Sequence, residues 1–135
     1  LILGRFLFTD TRPRDLLTLH LTRHGWDANQ LAGLIASVLV RKAPVLIPNV
    51  ILETDKILVF EHPRPKFKHH YLLVPKKDIK NIGELSAEDM AYLTDLFTVL
   101  GEMIRSQHLK RYRLWTNGPG KQDVAYLHFH LGSDD

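Results

Sequence analysis

The chain has 135 residues, of which 44% are hydrophobic and 24% charged, with a formal net charge of +3 at neutral pH; these values fit one ordinary globular domain, residues 1–135, with no room for a second. It has no cysteine, which excludes disulfides, thiolate zinc sites and a cysteine nucleophile. The most apolar run, Leu31 to Val40, is about half of the roughly 20 residues that cross a bilayer, no signal pattern opens the chain, and no long Lys/Arg run points to nucleic acid; a soluble, cytoplasmic protein with no membrane or nucleic-acid partner is expected, its modest positive charge suiting phosphates.

Ile2 to Phe8 is a short apolar segment, followed by turn chemistry from Thr9 to Asp15. Leu16 to Arg23 fits strand or helix, and Thr22-Arg23-His24-Gly25 looks like the Arg-His-Gly motif of the histidine phosphatases. Those enzymes need further Arg and His residues on a larger doubly wound domain, so Arg23 and His24 read as loop residues. From Asp27 to Lys42 the residues Leu31, Leu34, Ile35, Val38 and Leu39 follow helical spacing, with Asp27 or Asn29 as N-cap and Pro44 as the stop. Asn49 to Glu53 and Ile57 to Glu61 are β-rich runs joined by Thr54-Asp55-Lys56, which suits a hairpin. After the Pro63-Arg64-Pro65 loop, His69 to Val74 reads as a third strand closed by Pro75. Ser86-Ala87-Glu88-Asp89 resembles a capping box with Asp in place of Glu, opening a long helix with the stripe Met90, Leu93, Leu96, Phe97, Leu100 and Ile104. Arg111 to Thr116 is the fourth strand, Asn117 to Lys121 a turn and Val124 to Leu131 the fifth strand. Strands gathered around one long helix predict an α+β domain with a five-stranded antiparallel sheet.

The last strand carries the chemistry. Its period of two places Val124, Tyr126, His128 and His130 on one face and Ala125, Leu127, Phe129 and Leu131 on the other, which reads as core. Same-face neighbours lie roughly 6.5 to 7 Å apart, so two imidazoles can meet one phosphate or one metal ion. Imidazole is both a ligand and a nucleophile near neutral pH. A metal would need a third ligand, for which His70 or His62 could serve.

Upstream of this strand stand His69-His70-Tyr71-Leu72-Leu73-Val74-Pro75-Lys76-Lys77, the capped helix, an Asn-Gly turn and Gln122-x-Val124. In that order, over roughly residues 45 to 132, the sequence resembles the histidine triad superfamily of nucleotide hydrolases and transferases. The resemblance implies a single domain with a core at about 45–132 and an N-terminal helical insertion at about 9–44, which would cover one end of the site or add to a subunit contact. It implies a homodimer that binds a nucleotide or related phosphate compound and needs no cofactor or metal. His128 would attack the α-phosphorus of a phosphoanhydride or phosphoramidate and form a nucleotidyl-histidine. His130 would hold a nonbridging oxygen, assisted by Gln122, Asn117 and backbone amides at the start of the last strand, with His70 as the additional histidine of the site. Phe60, Glu61, His62, Pro63 and Leu72 fall where the family cradles base and ribose.

Three positions depart from the pattern. Tyr126 holds the place of the first triad histidine and is expected to be a packed aromatic. His62 stands where an Asp often grips ribose, and Asp123 where Ser or Thr serves the phosphate or leaving group. These changes keep two alternatives open: a catalytically weakened or inactive ligand-binding protein on the same fold, and a His-cluster metalloprotein. An oriented His128 beside an open anion pocket would favour the enzyme, and a pocket blocked by Tyr126 or Asp123 the binder.

Overall fold

A computed structural model describes residues 28–135; the expectations for Ile2 to Phe8, for Leu16 to Gly25 and for Asp27 as an N-cap lie outside them. In chain order come α1 (Ala28–Lys42), a 3-10 turn (Pro44–Leu46), β1 (Val50–Glu53), β2 (Ile57–Glu61), β3 (His69–Pro75), α2 (Met90–Ser106), β4 (Tyr112–Trp115) and β5 (Phe129–Ser133). The strands form one sheet in the order β1-β2-β3-β5-β4, every neighbouring pair antiparallel. The fold is therefore α+β, a five-stranded antiparallel sheet with a long helix and an N-terminal helix. No helix among the described residues is long and apolar enough to cross a membrane.

The two faces of the sheet are covered differently. On one, Ile57, Val59, Tyr71, Leu73, Leu127, Phe129 and Leu131 meet Leu93, Leu96, Val99, Leu100 and Met103 of α2. On the other, Leu58, Val74 and Tyr126 meet Val40 of α1, with Ala36, Ile47, Phe60 and Val124 around them. This double cover is why β2 begins Ile57-Leu58-Val59 and β3 is buried from His70 to Pro75: a strand buried on both faces reads as an apolar run rather than an alternation.

The helix stripes differ in part from those expected. In α2, Leu93, Leu96 and Leu100 are buried, but Val99 and Met103 join them, while Met90 and Phe97 are 44% and 47% exposed. Phe97 lies at the margin, its ring edge-on to Phe129 at 5.7 Å. In α1 the buried set is Gly33, Leu34, Ser37, Val38 and Val40, while Leu31 and Ile35 are exposed. The buried side of the helix thus carries the small Gly33 and Ser37 rather than the largest apolar residues. Ser37 keeps its hydroxyl satisfied by accepting from Arg41 Nη2 at 2.9 Å. At the start of the long helix the Asp89 carboxylate accepts from the Ser86 N–H at 3.0 Å and from Lys77 at 2.6 Å.

The fifth strand starts later than its alternation suggests, at Phe129 rather than Val124. Residues 124–127 bond outside the ladder. The Ala125 N–H donates to the Asn29 carbonyl at 3.2 Å, the Tyr126 N–H to the Val124 carbonyl at 2.8 Å and the Leu127 N–H to the Ile79 carbonyl at 2.7 Å. Each of these amides has found a partner without a strand neighbour, so the segment is a pinned bend. The in-and-out alternation of Tyr126, Leu127 and Phe129 survives because both sheet faces continue past the strand end.

Candidate active site

The site lies on the sheet face opposite α2, and register builds it. Phe60 pairs with Leu72, Leu72 with His130 and His130 with Trp115, one row across β2, β3, β5 and β4. In the next row His70 stands opposite Gly132. Gly132 is required there by contact: a Cβ would lie 2.6 Å from the Phe67 ring, far inside van der Waals distance. Phe67 thereby lays the 62–68 loop over the strand ends and meets His70 and Trp115 edge-on. Gly132→Ala is expected to push Phe67 and its loop outward at a cost of about 1 to 3 kcal/mol, seen as a lower denaturation midpoint together with weaker ligand binding. Unchanged values of both would refute Phe67 as the anchor of the loop.

Four imidazoles gather beneath this loop. His62 stacks on His70 with centroids 4.3 Å apart, His70 and His130 are 5.3 Å apart, and His128 stands edge-on to His130 at 5.1 Å. Trp115 lies flat on His130, 4.6 Å away and within 3° of parallel. Burial holds all four imidazoles below their ordinary pKa, His70 at about 4 and His130 at about 3. For His130 the neighbouring imidazoles and Lys66 add to burial; for His128 the Tyr126 carbonyl and the Asp123 charge oppose it. All four are therefore neutral at pH 7.

Neutral rings have tautomers, and main-chain groups set them. The Lys66 N–H donates to His70 Nδ1 at 3.1 Å, so the proton of His70 sits on Nε2. That Nε2 lies 3.1 Å from His130 Nδ1, which must then accept, leaving the His130 proton on Nε2. His130 Nε2 is buried and has no hydrogen-bond partner among the described residues, making it a donor held for an acceptor. His128 is set the opposite way: Nδ1 donates to the Tyr126 carbonyl at 2.6 Å, and Nε2 keeps a free lone pair. A base and a hydrogen-bond donor thus stand side by side.

The same bonds test the metal alternative. His62, His70 and His130 each have a ring nitrogen within 4.8 Å of the others, close enough for a shared ion. His62 Nδ1, however, accepts from the Arg64 N–H at 2.9 Å, as His70 Nδ1 does from Lys66. Both rings therefore carry their proton on Nε2 and offer no lone pair to an ion. The donor set as bonded does not fit a metal.

The remaining expected residues take distinct places. Tyr126 is 2% exposed and donates its hydroxyl to the Pro75 carbonyl, so it is a packed aromatic that leaves the site open. Gln122 is buried, its Nε2 donating to the Lys80 carbonyl at 2.8 Å while its main-chain carbonyl accepts from Asn29 Nδ2; in this geometry the side chain braces the bend instead of facing the imidazoles. Asn117 is half-buried just past β4, and Pro63, Glu61 and Asp123 are exposed. Trp115, Thr116, Phe67 and the amides of Arg64 and Lys66 were not singled out from sequence. Thr116 ties the end of β4 to the segment leading into β5, its hydroxyl donating to the His128 carbonyl at 2.7 Å. The one sequence signal for Trp115 was a large aromatic placed to pair with a strand histidine, which register alone makes visible.

Comparison with known proteins agrees with this architecture. The family model described as scavenger mRNA decapping enzyme C-term binding matches residues 42–135. The chain belongs to the histidine triad superfamily. An uncharacterized HIT-like protein of Helicobacter pylori is 38% identical over 88 residues, covering 63% of this chain and 83% of the relative. A second, from Synechococcus elongatus, is 35% identical over 86 residues, covering 62% and 75%. Among solved histidine triad structures, a HIT family hydrolase from Legionella pneumophila Philadelphia 1 superposes with a TM-score of 0.65 at 29% identity, covering 73% of this chain and 92% of that one. At the level of the family, the histidine triad fold supports nucleotide binding, and hydrolase is what such neighbours are named.

Proposed function

We propose that this histidine triad protein is a nucleotide hydrolase or nucleotidyl transferase acting through a covalent intermediate on His128. The observation that carries the reading is the opposed tautomers: His128 presents a lone pair at Nε2 because Nδ1 is bonded to the Tyr126 carbonyl, and His130 presents a buried, unpartnered N–H beside it. His128 Nε2 attacks the α-phosphorus, the bond to the leaving oxygen or nitrogen breaks with its electron pair going to that atom, and a nucleotidyl-histidine forms. Water, or an amine in a transfer, then attacks the same phosphorus and returns the imidazole. His130 Nε2–H donates to a nonbridging oxygen, where a donor fixed in advance stabilises the charge that builds during attack. Asn117 adds to the phosphate cradle, His70 fixes the tautomer of His130, and Phe60, His62, Pro63 and Leu72 border the nucleoside. Tyr126, buried and bonded away from the site, leaves the anion position open, which favours the enzyme over the inactive binder.

The test is an intact-mass measurement after brief incubation with adenosine and guanosine phosphoramidates and dinucleoside polyphosphates. A nucleotidyl increment that maps to His128 is expected; turnover without any histidine adduct, in a rapid-quench series, would overturn the covalent route. The reading also includes a cytoplasmic homodimer. Light scattering of the purified chain should give twice the 15.6 kDa chain mass, and a monomer at micromolar concentration would refute the dimer without touching the chemistry.

A further inference from the structure

Among the described residues a single hydrogen bond holds the His130 ring. Its Nδ1 faces His70 Nε2 at 3.1 Å, which decides between the two flipped orientations of the imidazole, because a flipped ring would put a carbon there. Within the chosen orientation the ring torsion of a histidine is broad, and a swing about the Cβ–Cγ bond displaces Nε2, on the far side of the ring. Nε2 is buried without a partner among the described residues, so no bond of its own restrains it. What lies against the ring is Trp115, flat on it at 4.6 Å between centroids and within 3° of parallel.

Register and packing put the indole there. Trp115 is the direct partner of His130 across β4 and β5, close enough for the two side chains to meet. The indole is itself confined: Phe67 meets it edge-on at 5.8 Å, and His70 lies 5.5 Å away, tilted by 45°. The next residue, Thr116, fixes the end of β4 by donating to the His128 carbonyl. An imidazole swinging toward such a face drives its edge into close-packed neighbours, which resist displacement. His70 and Trp115 thus restrain different motions, one selecting the flip and the other narrowing the swing.

Resting on the covalent reading above for what the donor meets, we propose that Trp115 is a positioning residue, its indole face holding the plane of His130 so that Nε2–H points at one nonbridging oxygen of the α-phosphate. A donor aimed in advance needs no reorganisation when charge builds on that oxygen. A donor free to swing has to be aligned at each attack, which slows the reaction more than it weakens binding. Trp115 gives and takes no proton; its effect passes through His130 alone.

The test uses adenosine phosphoramidate and the two diastereomers of its α-thio analogue, in which sulfur, a weak acceptor, replaces one or the other nonbridging oxygen. The wild-type chain should cleave the diastereomer whose sulfur faces His130 at least about tenfold more slowly than the other. Trp115→Val, whose side chain suits a strand, should lower kcat on the oxygen substrate by about ten- to a hundredfold, short of outright loss of an oxyanion donor. Its KM should stay within about twofold and the diastereomers come within about threefold of each other. Trp115→Phe, which keeps an aromatic face, should recover most of the rate and of the preference. Thr116→Val, which loosens the strand end without altering the indole, should keep the preference. A slow Trp115→Val protein that retains the wild-type preference would show a structural role only and overturn the proposal. Full activity in that variant, the same collapse in Thr116→Val, or a reactive wild-type chain without preference would overturn it as well. Trp115→Leu takes the place of Trp115→Val if the latter does not fold. Where the wild-type chain cleaves none of the compounds, the covalent reading fails, and ring-nitrogen NMR of the ligand-free protein decides the positioning. The His130 Nε2–H signal should be single and protected from solvent exchange in the wild type, and broadened or lost in Trp115→Val; equal signals in the two proteins, or no protected signal in the wild type, overturn it.

Discussion

Replacement of His128 by alanine is expected to lower turnover of every nucleotidyl substrate by at least about a thousandfold while leaving the fold intact, because a covalent route loses its only attacking atom. The ring is half-buried at the edge of the sheet and its one hydrogen bond among the described residues is to a neighbouring carbonyl, so truncation removes chemistry more than packing. His128→Ala should still bind a nucleotide, since the donor on His130 and the row from Phe60 to Trp115 are untouched. Circular dichroism, a ligand dissociation constant and a turnover rate on one preparation separate the possibilities. A variant that keeps a tenth of wild-type activity, free of contaminating enzyme, would end the nucleophile assignment.

Acid is expected both to inactivate and to destabilise the protein. His128 must be neutral to attack, and burial keeps it so at pH 7; protonation at lower pH removes the lone pair and activity falls on the acid side. Stability follows a second argument. His130 and His70 titrate at about 3 and about 4 in the folded chain, against an ordinary value near 6.5 when unfolded. Between those limits the unfolded chain binds more protons than the folded one, so stability rises with pH and is lost as pH falls from about 6.5 toward about 3. With the two rings sharing a hydrogen bond, the loss by pH 4 should be on the order of 3 kcal/mol. Denaturant midpoints from pH 7 to pH 4 measure it, and His70→Gln, which removes one buried imidazole, should flatten the slope. A midpoint independent of pH across that window would contradict the neutral buried rings.

How much of this was legible in the sequence depends on range. Local signals held: the Thr54-Asp55-Lys56 hairpin joins β1 and β2, Pro75 closes β3, and Asp89 serves the capping box. The placement of His128 and His130 on one side of the sheet also followed from alternation, although β5 begins only at Phe129. What alternation could not show is that Ala125 and Leu127 bond to Asn29 and Ile79, residues far away in sequence. The exposed Phe97 and Ile35 were equally hidden, since a helical period names a stripe but not the contact that decides its rotation. Gln122 illustrates the limit at the site itself. Its position in a motif was visible, while the direction of its amide, toward Lys80, belongs to tertiary structure.

The Pro63-Arg64-Pro65 loop is followed directly by Lys66. Proline has no amide hydrogen, so the four residues own two N–H groups, and both point at imidazole nitrogens. An anion arriving at this loop consequently finds no main-chain donor there and is met by side-chain charge alone. Attraction of that kind weakens as ions are added, whereas the buried donor of His130 is sheltered from them. Ligand capture should thus divide into a salt-sensitive encounter with the loop and a salt-resistant grip at the phosphorus, two contributions that a titration in potassium chloride can tell apart.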